Sequence, residues 1–188
     1  VASLVGSEMC IRDSLRSTGH EISHLDLGGG LGIPYSDESL VDLNAYNQII
    51  SETVGDLDCK LSIEPGRYLV GEAGILITRV IYIKQGEQKK FVIVDGAMND
   101  LIRPTLYDGF HAIVPVTEKN LSSQKSLCDV VGPICESGDY FAKDRMLPEV
   151  SQNDLLAITC SGAYGAVMAS NYNSRPLIPE VLVSNDVF

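Results

Sequence analysis

The stretch Leu25-Asp26-Leu27-Gly28-Gly29-Gly30-Leu31-Gly32-Ile33 opens as a short apolar strand and ends in glycines. Three successive glycines carry no Cβ, so several backbone N–H groups can converge on one small anion. Main chain holds a phosphate in this way. A second strand-to-turn stretch follows at Leu61-Ser62-Ile63-Glu64-Pro65-Gly66-Arg67-Tyr68. It sets a carboxylate just before a glycine and an arginine whose fork suits a phosphate or carboxylate. Read alone, the glycine run is also an ordinary tight turn between strand and helix, and Glu64 a strand-end carboxylate in an ion pair. A dinucleotide site does not fit, because Gly28, Gly30 and Gly32 give G-x-G-x-G rather than G-x-G-x-x-G. The two stretches together are more specific than either alone.

Other residues have chemistry open to them. Arg103 precedes Pro104, and its planar fork binds carboxylates bidentately; read alone it is also a solvated loop arginine. Cys135 follows a buried strand, where an isolated cysteine is usually an inert hydrophobe. Tyr164, in Ser161-Gly162-Ala163-Tyr164-Gly165, reads by itself as core packing. His20 and His24 read as surface or helix-end residues.

The elements that position these groups fall into two patterns. Leu25–Leu27 reads as a buried strand and Lys60–Ile63 as the next strand, ending at Glu64. Between them, Leu40, Leu43, Tyr46, Ile50 and Val54 recur at steps of three and four, which predicts a helix over 39–54 with Ser36 or Asp37 at its cap. Strand, helix, strand is a β/α unit, and functional loops at the C-terminal ends of strands fit a barrel of that type. After Gly74 the pattern changes to short β-branched runs: Ile75–Ile83, Phe91–Val94, Ala112–Val116, Asp129–Ile134 and Leu155–Thr159. Gly, Pro, Asn and Asp lie between them, which predicts a separate antiparallel β domain. Gln85-Gly86-Glu87 is the expected hairpin turn, Gly162–Tyr172 a short helix, and Glu180–Val183 a last strand. Residues 1–14 show no clean helical or strand period.

The chain has 188 residues, 45% hydrophobic, enough for one or two cores. Its net charge of −11 disfavours nucleic acid and anionic membranes as partners, and no apolar run reaches membrane-spanning length. Five cysteines without short paired spacing suggest neither a disulfide framework nor a zinc site. No metal is expected, and the simplest compartment is a reducing cytoplasm.

LDLGGGLGI followed by EPGRY resembles the pyridoxal-phosphate decarboxylases with an alanine-racemase-like barrel. DGAMNDLIRPTLYDGFH (95–111), GPICESGDYFAKDR (132–145) and GAYGAVMASNYNSRP (162–176) narrow the resemblance to the diaminopimelate decarboxylase family. These blocks run in the family's order from about Leu25 to Val183. The resemblance implies an α/β plus all-β build: terminal units of a (β/α)8 TIM barrel over 15–73, then an antiparallel β-barrel or sandwich over 74–188. It implies pyridoxal 5'-phosphate as cofactor, cupped by Gly28, Gly29, Gly30, Gly66 and Arg67, with Tyr164 near its phosphate and Glu64 at the pyridine nitrogen. Cys135 is the implied acid that protonates the α-carbon after carbon dioxide leaves, acting across a homodimer interface. Arg67, Arg103 and Tyr107 suit the distal carboxylate of an amino-acid substrate and Glu136 its ammonium, with Tyr164 alongside. The implied reaction is conversion of meso-2,6-diaminopimelate to L-lysine and carbon dioxide, the last step of lysine biosynthesis.

Two departures from the family shape the expectation. The Schiff-base lysine belongs to an earlier barrel strand, and no lysine here stands in a matching context. A full barrel takes about 250 residues, far more than 15–73, so the chain is expected to be a C-terminal fragment, inactive alone, with exposed strand edges in its barrel part. The segment VGSEMCIRDS resembles a sequencing-adapter read-through, and residues 1–14 are set aside as a non-native segment. Competing expectations are a related decarboxylase of arginine, ornithine or carboxynorspermidine, and a non-catalytic homologue acting as a binding partner.

Overall fold

The structure, a computed structural model, describes residues 2–184. Residues 185–188 of the expected β domain, with the chain end Val187-Phe188, lie outside the described residues. The chain divides into two compact units, one through Leu69 and one from Val70 onward.

The first unit is built on two parallel strands, β1 (His24–Asp26) and β2 (Lys60–Ser62), with Leu25 opposite Leu61. A parallel pair requires a crossover, and α2 (Leu43–Val54) supplies it. Leu25 and Val54 form its small core, with Leu27, Ile50, Leu57 and Cys59 against them. The helix starts later than its apolar spacing suggests. Asp42, not Ser36 or Asp37, is the cap: its Oδ1 accepts the N–H groups of Asn44 at 2.9 Å and Ala45 at 3.1 Å. The Glu38 carboxylate instead accepts the N–H groups of Tyr35 and Ser36, which closes a separate turn ahead of the helix. Residues 2–17, aperiodic in sequence, form α1 (Ala2–Ser17), and Met9 packs on the Leu25–Val54 cluster. This helix buries Arg12 and exposes Ile11, the reverse of an apolar stripe. The short α3 (Gly66–Val70) follows β2.

The second unit is one six-stranded sheet. Its strands are β3 (Leu76–Gln85), β4 (Lys90–Val94), β5 (Ile113–Pro115), β6 (Lys125–Val131), β7 (Tyr140–Pro148) and β8 (Leu155–Ile158), in the order β5-β8-β3-β4-β6-β7. The terminal strands β5 and β7 approach each other, so the sheet is nearly closed. It is mixed rather than purely antiparallel, because β4 and β6 pair in parallel. After β4 the chain leaves through α4 (Arg103–Tyr107), β5 and α5 (Glu118–Leu121) and returns beside β4 in the same direction. That long return replaces the hairpin that short spacing would favour. The β3–β4 turn falls where expected, closed by the Gly86 N–H on the Lys89 carbonyl at 2.9 Å. Strand β3 buries Leu76, Thr78 and Val80 in alternation, and Val92, Val130, Phe141, Leu156 and Ile158 complete the core.

Three local expectations are corrected. Strand β7 was not expected, because Lys143, Asp144 and Arg145 break its apolar pattern; Lys89 pairs with Asp144 at 2.9 Å, while Lys143 and Arg145 lie over the rings of Tyr140 and Phe110. Gly162–Tyr172 is not one short helix but holds the 3-10 turn Ala166–Met168, with a second at Tyr172–Ser174. Left-handed backbone at Cys160, Tyr164, Asn173 and Ser174 prevents a continuous helix. Glu180–Val183 pairs with no strand among the described residues; a bridge appears only at Ser184.

Candidate active site

In the first unit, the loops after β1 and β2 lie side by side. The Leu27 N–H donates to the Ser62 carbonyl at 3.0 Å, and the Glu64 N–H donates to the Gly28 carbonyl at 2.8 Å. The parallel ladder thus continues past both strand ends and joins the glycine turn to Glu-Pro-Gly-Arg. Gly28 has φ +68° and Gly30 φ +96°, the region where a side chain is strained. A Cβ on Gly29 would stand 2.7 Å from the Glu64 carbonyl oxygen. Among the described residues, the N–H groups of Gly29 and Gly30 donate to no protein acceptor, and both glycines are exposed. Gly66 folds back onto Glu64, its N–H on the Glu64 carbonyl at 2.8 Å, and Arg67 stands next in α3.

Asp26, which the motif reading does not single out, orders the start of this turn. Its carboxylate accepts the Gly28 N–H at 2.7 Å and the Ser62 hydroxyl at 2.9 Å. These two bonds, the Gly28 one foremost, hold its carboxyl below the usual range. The carboxylate at the strand end was visible in the sequence; its partner on the neighbouring strand was not.

In the second unit, three segments converge. Arg103 and Tyr107 lie on α4, which ends at Asp108 with φ +52°. Cys135 and Glu136 lie on the loop between β6 and β7, where Cys135 is exposed. Tyr164 lies in the 161–175 segment, held at φ +61°. The Thr105 hydroxyl donates to the Gly138 carbonyl and the Tyr140 hydroxyl to Asp108 at 3.1 Å, which ties α4 to the Cys135 loop. The Tyr172 hydroxyl stands 3.5 Å from Glu136 Oε2.

The turn 95–100 binds these segments together. Asp139, buried at 4% exposure, accepts the Met98 N–H at 2.7 Å and the Ile134 N–H at 2.6 Å. Burial raises its carboxyl above the usual range, and these two donors oppose the rise. Asn99 donates to the Ser170 carbonyl at 3.0 Å and accepts from Arg175 Nε at 3.0 Å. Arg175 also reaches the Asp95 carbonyl at 2.7 Å and the Asp100 carboxylate at 3.4 Å. One turn therefore fixes the Cys135–Glu136 loop on one side and the Tyr164 segment on the other.

His111, fully buried, adjoins Arg103. Arg103 Nη1 lies 2.9 Å from its Nε2, and its Nδ1 lies 2.8 Å from the Thr159 carbonyl oxygen. Burial, followed by the charges of Arg103 and Arg145, pushes its pKa down against the opposing Thr159 contact. Asp139, Asn99 and His111 sit inside the quoted blocks, but nothing in their spacing separates them from their neighbours.

A family model described as "Pyridoxal-dependent decarboxylase, C-terminal sheet domain" matches residues 8–162. The chain belongs to this family of pyridoxal-dependent decarboxylases. Among curated relatives, the diaminopimelate decarboxylase of Neisseria meningitidis serogroup A is 51% identical over 176 residues, covering 94% of this chain and 43% of the relative. The crystal structure of diaminopimelate decarboxylase from Helicobacter pylori complexed with L-lysine superposes with a TM-score of 0.83 at 44% identity, covering 93% of this chain and 44% of that one. Lysine decarboxylase from Selenomonas ruminantium superposes with a TM-score of 0.81 at 26% identity, covering 98% of this chain and 49% of that one. The chain thus spans less than half the length of each. No helix among the described residues is long and apolar enough to cross a membrane.

Proposed function

We propose that this chain supplies the sheet domain and part of the cofactor cradle of a diaminopimelate decarboxylase, which converts meso-2,6-diaminopimelate to L-lysine and carbon dioxide. The observation that carries this reading is the Glu64–Gly28 backbone hydrogen bond at 2.8 Å, which sets an acid beside a phosphate-sized glycine turn. Pyridoxal 5'-phosphate fits that arrangement: Gly29 and Gly30 offer unengaged N–H groups, and the space a Cβ on Gly29 would fill is closed by Glu64.

When bound, pyridoxal phosphate supplies the electron sink that lets an α-carboxylate leave as carbon dioxide. Gly29 and Gly30, with Arg67, hold its phosphate, while Gly28 and Gly66, whose N–H groups are engaged by Asp26 and the Glu64 carbonyl, shape the turn. Glu64 keeps a proton on the pyridine nitrogen. Cys135 gives the proton that replaces the lost carboxylate on the substrate Cα, and its exposed loop position suits action on the site of a second subunit in a homodimer. Arg103 and Tyr107 bind the distal carboxylate and Glu136 the distal ammonium. The remaining units of a (β/α)8 barrel, with the lysine that carries the cofactor, belong to the same reading, as does a cytoplasmic setting. The 51% identity to a diaminopimelate decarboxylase, against 26% to a lysine decarboxylase, supports a diacid substrate.

The test is product analysis. The pyridoxal-phosphate-loaded enzyme carrying this chain is given meso-diaminopimelate, with carbon dioxide and L-lysine measured. Equal molar yields are expected, and loaded enzyme that releases neither refutes the reading.

A further inference from the structure

Two contacts fix the protonation pattern of His111. The Thr159 carbonyl can only accept, so His111 Nδ1, 2.8 Å away, carries the hydrogen. His111 Nε2, 2.9 Å from Arg103 Nη1, faces a group that can only donate, so it presents its lone pair. The ring is therefore the neutral Nδ1–H tautomer, with a donor at one end and an acceptor at the other. It is held from behind as well, because Arg145 Nη1 donates to the His111 carbonyl at 2.8 Å while the Arg145 guanidinium lies over the Phe110 ring at 3.9 Å. Thr159 is itself fixed, its N–H donating to the Ala112 carbonyl at 2.9 Å.

We infer that His111 is a positioning residue for Arg103: its Nε2 lone pair holds Nη1 and orients the guanidinium plane, and so contributes to how strongly the enzyme prefers a substrate with a distal carboxylate. This rests on the reading of Arg103 as a carboxylate-binding group. A bidentate fork rewards a carboxylate only when its plane is aligned. An arginine side chain left to choose among its rotamers loses much of that reward. His111 holds one of the five N–H groups, which leaves the guanidinium charged while removing its freedom to rotate. A positively charged histidine would repel Arg103 instead, and the full burial of the ring opposes that state.

Two substitutions separate positioning from packing. An asparagine amide overlays Nδ1 and keeps the Thr159 contact, but does not reach Arg103. A glutamine amide overlays Nε2 and presents an oxygen to Arg103. In the loaded enzyme, His111→Asn is expected to raise KM for meso-diaminopimelate about tenfold or more, the effect of one hydrogen bond to a charged group. Its kcat, and its residual rate on the monocarboxylate L-lysine, should change far less. His111→Gln is expected to restore most of the loss. A second readout does not depend on activity. 15N spectra of the imidazoles, with the His111 signals assigned by their loss in His111→Gln, should show the neutral Nδ1–H tautomer at pH 7. An Nε2–H tautomer, or His111→Asn with an unchanged diacid KM while Arg103→Ala raises it, overturns the inference. If Arg103→Ala itself leaves the diacid KM unchanged, the carboxylate reading of Arg103 falls, and the positioning role falls with it.

Discussion

The Glu64 N–H donates to the Gly28 carbonyl at 2.8 Å, so the acid and the glycine turn are joined by main chain, two residue pairs beyond the Asp26–Ser62 end of the parallel ladder. Side-chain replacements at Glu64 leave this bond intact, whereas changes at the glycines strain it.

Gly29→Ala places a Cβ 2.7 Å from the Glu64 carbonyl oxygen, a distance that forces the two loops apart. Affinity for pyridoxal phosphate should fall about tenfold or more, equivalent to roughly 1.4 kcal/mol, measured by absorbance titration of the cofactor. Unchanged affinity would mean that the glycine turn does not hold the phosphate.

Asp139→Asn keeps the shape but offers one acceptor oxygen where two N–H groups, of Met98 and Ile134, now donate. One N–H is left facing an amide, at a cost of about 1–3 kcal/mol. The urea midpoint should drop accordingly. A midpoint equal to that of the unmodified protein would show that the turn 95–100 is not anchored through Asp139.

The pH dependence of stability follows from His111. Its folded pKa lies below the ordinary value of 6.5, through burial first and then the charges of Arg103 and Arg145. Above that ordinary value both states are neutral and the histidine has no effect. As pH falls below it, the unfolded chain takes up the proton first, so stability is lost progressively until pH reaches the folded pKa. Urea midpoints measured downward from pH 7 should fall more steeply for the unmodified protein than for His111→Gln. Parallel curves would count against a buried neutral ring.

Cys135→Ala should lower kcat about a hundredfold, the lower range for a positioned acid, while leaving the thermal midpoint nearly unchanged because Cys135 is exposed. Steady-state kinetics and a melting curve on the same preparation check both halves. A kcat within threefold of the unmodified enzyme would remove Cys135 from the chemistry.

The parts legible in sequence were those where one short stretch carries its own signal. Glycines 28–30 and Glu64-Pro65-Gly66-Arg67 announce two loops, and α2 shows its apolar stripe. Strands with short unbroken apolar runs, such as β4 and β8, were equally plain. What escaped depends on partners distant in sequence. Strand β7 hides behind Lys143-Asp144-Arg145, whose charges are tolerated because Lys89 pairs with Asp144 and the two cations lie over the Tyr140 and Phe110 rings. The parallel pairing of β4 with β6 depends on a long excursion that no local period records. The Asp42 cap was missed because Ser36 and Asp37 are chemically as good, and only the turn closed by Glu38 decides between them. His111 is one histidine in a glycine-containing loop until Arg103 and Thr159 are seen on either side of it.

The most direct test of the central claim is a competition assay. The loaded enzyme carrying this chain is offered meso-diaminopimelate together with L-lysine, L-ornithine or L-arginine, and kcat/KM is compared. A preference for the diacid of about a hundredfold or more is expected, as when a site built for a charged group is left unpaired by a substrate lacking it. Equal or greater turnover of a monocarboxylate would contradict it and place the chain with the other amino-acid decarboxylases of the same fold.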